Sequence, residues 1–374
     1  MKIAILGAGI NGLMSALELL EQDCSIEIFD QQDAAKAASW AGGGILSPMY
    51  PWRYPQAVND LAQYAMPLYQ AWNEKLRPVT GIDFQIHETG MLIFDEDDFE
   101  VGLDYAHIQH NPLQHAEYLQ QEQLELINPH IHSKYQHAMY FPHLANVRNP
   151  RLLQSLVSYL KQQSQVTFHE HCPIQSLNIQ QQRIDSITSQ NGQTFHADQF
   201  VLATGAWSGH WAKQLNIDIP VKPVQGQMVL FKTPENWLPT MCMNKVMYLI
   251  PRPDGHIVCG SSMRDIGFNT ETDIQVKQHI LDACFDMVPE LSQFPIVQEW
   301  AGLRPSSPHG IPYIGQLENF DNLWANFGHF RNGLCMAPAS AKLLKQLMFN
   351  LPTLVKVDAY SPKHLTQLSA ELMS

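Results

Sequence analysis

The stretch Ile3-Ala4-Ile5-Leu6-Gly7-Ala8-Gly9-Ile10-Asn11-Gly12 decides the fold. Its first four residues are apolar and read as a short buried strand. The glycines that follow have the Gly-x-Gly-x-x-Gly spacing of a dinucleotide-binding turn. Gly7 permits the tight turn, Gly9 lets backbone approach a pyrophosphate, and Gly12 lets helix pack closely on strand. Leu13, Met14, Ala16, Leu17, Leu19 and Leu20 then recur at helical spacing. The N-terminus of such a helix offers unpaired N–H groups to phosphate. Residues 25–30 read as a second strand. Asp30, which ends it, lies 18 residues after Gly12, close to the roughly 20 expected of an acid that receives ribose hydroxyls. The spacing therefore predicts a βαβ unit that holds a dinucleotide.

Outward from this unit the chain alternates between two textures. Residues 34–55 are a small-residue run followed by a Pro/aromatic loop, and a helix is predicted over about 56–78. Residues 84–145 mix short strands with a polar, Gln- and His-rich helical stretch. Asn149-Pro150 reads as a helix start, with Asn as N-cap and Pro in the first turn. Leu152, Leu153, Leu156, Val157 and Leu160 form the apolar face of that helix. Strands are predicted at 166–169, 184–187 and 200–203. Residues 221–304 are strand-rich, interrupted by a helix at about 273–288. A last buried strand (322–327) leads through Gly328-His-Phe-Arg-Asn-Gly333 into a helix over 334–349. The predicted fold is α/β: a Rossmann-like βαβ domain (1–80, 146–220 and 305–374) interleaved with a strand-rich α+β domain (81–145 and 221–304) that shapes the substrate side.

Composition narrows the function. The chain has 374 residues, of which 45% are hydrophobic and 16% charged, with a formal net charge of −13. An acidic chain without a basic run is a poor partner for nucleic acid or an anionic membrane surface. The six cysteines are scattered and form no Cys-x-x-Cys pair, which suits small core residues in a reducing cytoplasm. The apolar run 3–20 is interrupted by Asn11 and Glu18, so it reads as strand and helix rather than as a secretory leader. No other stretch approaches the length of a membrane span. His169-Glu-His171-Cys172 invites a metal reading, but on a strand the two histidines share a face and Cys172 points away, so no metal is expected. The remaining histidines within 107–143 are expected in solvent. The loop 48–55 reads either as a lid or as a surface loop packing its aromatics, and Arg53 within it is a further candidate for a carboxylate.

Several pieces stand in one order along the chain: Ser39-Trp-Ala-Gly-Gly-Gly-Ile-Leu46, Ala203-Thr-Gly-Ala-Trp-Ser208, Pro223-Val-Gln-Gly-Gln227, Tyr248-Leu-Ile-Pro-Arg252, Trp300-Ala-Gly-Leu-Arg-Pro305, Pro312-Tyr-Ile-Gly315 and Gly328-His-Phe-Arg-Asn-Gly333. On these the chain resembles the FAD-dependent amine and amino-acid oxidases of the D-amino-acid oxidase and sarcosine oxidase superfamily. The likeness is strongest to their glycine-oxidising branch, which serves bacterial thiamine-thiazole synthesis. The resemblance implies FAD as cofactor. It places Gly7, Gly9, Ile10, Asn11 and Gly12 on the pyrophosphate, Asp30 and Gln31 on the adenosine ribose, and the backbone of Ile174 on adenine. It sets Ala38, Ser39, Thr204 and Gly205 around the cofactor, with Gly43, Gly44 and Ile45 beside the flavin ring. His329, Phe330, Arg331, Asn332, Gly333, Leu334 and Cys335 run along the isoalloxazine. The glycine triplet at 42–44 is one longer than the family's pattern, which leaves the register of that loop open by one residue.

For the substrate, the resemblance implies that Arg304 clamps an amino-acid carboxylate, Tyr248 donates a hydrogen bond to it, and Arg331 lies close by. An Arg fork matches a carboxylate bidentately. The implied reaction is oxidation of glycine, through its imine, to glyoxylate and ammonia, with O2 reduced to H2O2 and no side-chain base required. Sarcosine, D-amino acids or a quinone acceptor are the alternatives, and a tRNA-modifying flavoprotein is a more distant one. The implied partners are a small amino acid, O2 and a thiazole synthase that takes the imine; homo-oligomerisation is left open. The segment after Arg304-Pro305 reads Ser306-Ser307-Pro308-His309 without a thiol, so the flavin is expected to be held non-covalently.

Overall fold

The computed structural model describes residues 1–109 and 114–365. His110 and the end of the 305–374 segment therefore lie outside the described residues. A six-stranded sheet forms in the order Tyr313–Gln316, Leu323–Phe327, Gln199–Leu202, Lys2–Leu6, Ser25–Phe29 and Val166–His169. All its pairings are parallel except Tyr313–Gln316 on Leu323–Phe327. The central strand is buried on both faces, as parallel strands are. Ile3 and Ile5 share a cluster with Leu13, Leu17, Ala337 and Leu344 of the helices Ile10–Leu19 and Gly333–Met348. Ala4 and Leu6 point the other way, toward Leu177, Ile184, Ile187 and Phe195 of a three-stranded antiparallel sheet.

Helix Ile10–Leu19 follows the first strand almost at once, and Gly12 makes this possible. A Cβ there would fall 1.9 Å from the Gly7 carbonyl oxygen. Two polar links tie this helix to its neighbours: Asn326 Nδ2 donates to Ser15 Oγ (2.9 Å), and buried Lys345 pairs with Glu18 and, at 2.8 Å, with Glu21.

A second, eight-stranded sheet draws on two separate parts of the chain. Its order is Ile296–Ser306, Lys222–Lys232, His256–Gly260, Tyr248–Pro251, Met241–Met243, Met91–Ile93, His137–Phe141 and Glu117–Gln120. The junction between the two parts is the one parallel pairing, Met241–Met243 on Met91–Ile93. Helix Ile274–Met287 covers one face and is capped by Asp273, which accepts from Gln275 N (2.8 Å). No helix among the described residues is long and apolar enough to cross a membrane.

The helix predicted over 56–78 is two helices, Gln56–Ala62 and Ala65–Thr80. The break lets both halves pack on Gly333–Met348. That helix carries Pro338, which has no N–H to give to the carbonyl four residues back. Tyr69, fully buried on the second half, supplies the missing donor: its hydroxyl donates to the Leu334 carbonyl at 2.7 Å. Removing it strands a buried carbonyl, at a cost of about 1–3 kcal/mol. Tyr69→Phe should therefore lower the free energy of unfolding, read from a urea titration, by that amount; an unchanged value would mean that the carbonyl has another donor.

Candidate active site

The glycine turn is held from outside by two side chains. Asp30 Oδ2 accepts from Ala8 N (2.8 Å) and its Oδ1 from Gln32 N (3.1 Å), while Ser39 Oγ accepts from Ile10 N (2.9 Å). Burial raises the Asp30 carboxyl above its ordinary value, and the backbone donors work against that rise. The turn opens into a cavity of about 420 Å3, in the range of small-molecule and cofactor sites. Gly7, Gly9, Ile10, Asn11, Asp30, Gln31, Ala38, Ser39, Gly43, Gly44, Ile45, Ile174, Thr204 and Gly205 line it, together with Phe330, Arg331, Asn332, Gly333, Leu334, Cys335, Tyr248 and Arg304. Gly12 and His329 do not. Gly12 sits under the turn, and His329 stands behind Asn11.

His329 is fully buried, and burial lowers its imidazole to about 3. It is neutral at working pH. Asn11 Nδ2 donates to Nδ1 (3.2 Å), which leaves the proton on Nε2 to meet Ser340 Oγ at 3.0 Å. The ring thus joins the first helix to the helix Gly333–Met348. The Cys335 thiol donates to the Asn332 carbonyl, and burial pushes it up to about 12. It is a poor nucleophile.

Asn149 has a different role from the cap its sequence suggests. It is the first residue inside helix Asn149–Lys161, and no side chain caps that end. Its Nδ2 instead donates to the carbonyls of Ser39 and Gly42, both at 2.9 Å, and so fixes the loop that forms one cavity wall. An Asn-Pro pair looks the same locally in either role.

Around the cavity, Asn11 Oδ1, Asn149 Oδ1 and Asn332 Nδ2 are buried and have no partner among the described residues. Buried polar atoms are rarely left unpaired in folded proteins. Their presence in the lining fits a polar group such as a dinucleotide cofactor.

The other end of the cavity belongs to the second sheet. Lys222–Lys232 and Ile296–Ser306 pair antiparallel, with Gly226 opposite Gly302 and Val224 opposite Arg304. Arg304 turns across Gly226, where a Cβ would lie 2.1 Å from its Nη2. Nη2 donates to Ser261 Oγ (2.6 Å) and Nη1 to the Ser262 carbonyl (3.1 Å); Tyr248 donates to the same Ser261 Oγ at 3.0 Å. No acidic side chain among the described residues pairs with Arg304. Burial lowers its pKa, Tyr248 opposes this, and Arg331 adds to it. Arg331 is exposed at the cavity wall without an ion pair among the described residues. Arg53 is committed elsewhere, to Asp98 and the Tyr50 ring, although Ser47 and Met49 before it reach the lining.

Ser261 and Ser262 went unnoticed in the sequence, since no local pattern marks them. Gln225 and Gln227 had a signal in strand alternation. They flank Gly226 and point away from the cavity, where their amides grip the carbonyls of Asn269, Glu271 and Asp273. This anchors the segment that presents the two serines. His169 stacks on Phe29 at 4.5 Å and His171 pairs with Asp33 at 2.8 Å, so the two point to different partners.

A family model described as FAD dependent oxidoreductase matches residues 2–347. The chain belongs to this family of FAD enzymes. It is 38% identical over 361 residues to a glycine oxidase of Pseudomonas aeruginosa, covering 96% of this chain and 98% of the relative. It is 28% identical to the bifunctional protein ThiO/ThiG of Synechocystis, covering 100% of this chain and 55% of that protein. In fold it matches the crystal structure of glycine oxidase from Geobacillus kaustophilus, with a TM-score of 0.88 at 23% identity over 97% of this chain and 98% of that one.

The close approach of the Arg304 guanidinium to Gly226 gives a direct check on the Arg304 geometry. Gly226→Ala should displace the flexible end of Arg304 without disturbing the glycine turn. Affinity for a carboxylate inhibitor should fall while FAD content stays at the wild-type level. Equal inhibitor affinity in the variant would show that the guanidinium does not need its present position.

Proposed function

We propose that the chain oxidises glycine to its imine, which water converts to glyoxylate and ammonia. The observation that carries this reading is Arg304: a cation oriented by Ser261 and Ser262, facing the cavity, with no acid paired to it among the described residues. Such a group is poised for a carboxylate from outside. The 37–38% identity to two glycine oxidases supports a small substrate, and Tyr248, Met228 and Met49 line the cavity with Arg304.

When bound, FAD supplies the two-electron acceptor for the carbon–nitrogen bond and is restored by O2, which leaves as H2O2. The protein's part is orientation and charge. Arg304 fixes the carboxylate, joined by Tyr248 once its one O–H turns from Ser261 to the ligand, and this sets the direction of the α-carbon. Arg331 adds positive charge at the same wall, beside the N-terminus of helix Gly333–Met348. Neither His329, which is buried away from the cavity, nor Cys335, which is protonated, can serve as a base at neutral pH. The amine itself must be neutral, because its lone pair forms the imine. The flavin is held without a covalent bond. The imine also suits delivery to a thiazole synthase, a reading supported by the likeness to the bifunctional ThiO/ThiG protein.

Arg304→Ala should leave FAD bound and weaken substrate. Losing one partner of a desolvated charge pair costs about 2–5 kcal/mol, or roughly 30- to 4,000-fold in apparent affinity. Steady-state kinetics on a panel of glycine, sarcosine and D-alanine check it, with glycine expected to lead. Unchanged kinetics would remove Arg304 from the substrate site.

The pH profile gives a second check. With the His329 pKa lowered to about 3, the imidazole is already neutral from pH 5 upward and contributes no inflection there. kcat/KM should rise with pH as the substrate amine loses its proton, in wild type and in His329→Gln alike. A rise that disappears in the variant would make His329 the titrating base.

A further inference from the structure

Arg252 closes the Tyr248-Leu-Ile-Pro-Arg252 motif and touches nothing in the cavity. It is 5% exposed. Its guanidinium has no carboxylate partner among the described residues; Asp254, two positions on, pairs with Arg148 at 2.6 Å. Burial pulls it down to about 9, so it remains a cation at neutral pH. A buried charge is tolerated only when its donors are satisfied. Here neutral oxygens alone do so. Nη1 donates to Asn146 Oδ1 and to the Val147 carbonyl (2.9 Å), and Nη2 donates to the Gly43 carbonyl at 2.7 Å.

The last of these contacts fixes an atom that Arg252 does not touch. In a trans peptide the C=O of one residue and the N–H of the next point in opposite directions. With the Gly43 carbonyl turned onto Arg252, the Gly44 N–H is turned away from it. Among the described residues that N–H has no acceptor, and Gly43 and Gly44 both line the cavity. The next peptide is held as well, because the Gly44 carbonyl accepts from Val147 N at 2.8 Å. Gly44 has φ +86°, and a Cβ there would meet the Val147 carbonyl at 2.1 Å, so the backbone is confined on that side too.

We propose that Arg252 is a positioning residue: its fork locks the plane of the Gly43–Gly44 peptide so that the Gly44 N–H is presented to bound FAD. A side chain outside the cavity thereby sets a donor inside it. Asn146 is part of the device, since its side chain takes one Arg252 donor and its own Nδ2 reaches the His87 carbonyl (3.3 Å). This positioning acts on the flavin alone, whichever amine is oxidised.

The test uses Arg252→Lys and Arg252→Met, each stripped of FAD and titrated back. Lysine keeps the charge but offers a point donor in place of a fork. In Arg252→Lys the Kd for FAD should rise by about 10-fold or more, the loss expected for one hydrogen bond in a dry site. The visible absorption band of the bound flavin should shift, and the rise in Kd should exceed any loss of apoprotein stability expressed as the same fold-change. Unchanged Kd and spectrum would overturn the proposal. A rise in Kd matched by an equal loss of apoprotein stability would also overturn it, because that marks a residue that only holds the fold. If Arg252→Met gives no folded protein, the lysine variant decides alone. If it folds, its Kd must exceed that of the lysine variant, and a lower value counts against the proposal. No substrate is present, so failure here leaves the glycine reading standing.

Discussion

Arg304 carries a largely buried positive charge with no acidic side chain beside it, and the surrounding architecture is arranged to hold that charge in place. Gly226 gives up its side chain to make room. Ser261 and the Ser262 carbonyl take two of the guanidinium donors. Gln225 and Gln227, on the opposite face of the same strand, tie down the segment that carries those serines. The strand thus works through its alternation, empty on the cavity face and gripping on the other. A charge left unpaired in this way is costly to the fold alone. The cost is offset when a carboxylate enters, which is the differential interaction that binding requires.

The same logic recurs at the other wall. Arg252 is a second buried cation with no acid paired to it among the described residues, but its donors are spent on two backbone carbonyls and the Asn146 side chain, and it fixes a loop rather than a ligand. Asn149 works in parallel from the dinucleotide side, holding Ser39 and Gly42. The loop 38–45 is therefore held by Asn149 on one side and by Arg252 on the other. Its glycines let the backbone come close to whatever fills the space. Asn11, joined through neutral His329 to Ser340, ties the first helix to the helix Gly333–Met348 in the same manner.

Much of this was legible in the sequence, for definite reasons. The glycine turn and its flanking strands could be read because a turn of that geometry tolerates few other residues. The segments that meet in the cavity could be read because each carries a short motif with its own chemistry. What stayed hidden depends on which groups face each other after folding. Nothing local distinguishes an Asn149 that caps a helix from one that holds a distant loop. The burial of His329 follows from its place between two helices, and a Gly-His-Phe-Arg context does not announce it. Ser261 and Ser262 carry no signature of their own; they matter because Gln225 and Gln227 bring their segment back across the strand. Arg53 looked available in the chain but is spent on Asp98.

The central claim is that a carboxylate-anchored glycine reaches FAD and that O2 takes the electrons. Anaerobic mixing with glycine, followed by admission of air, tests it most directly. Glycine should bleach the flavin absorption and air should restore it, with one H2O2 formed for each O2 consumed. A flavin that glycine leaves oxidised would contradict the substrate assignment. A flavin that glycine reduces but that stays reduced in air while a quinone analogue reoxidises it would contradict the oxidase reading.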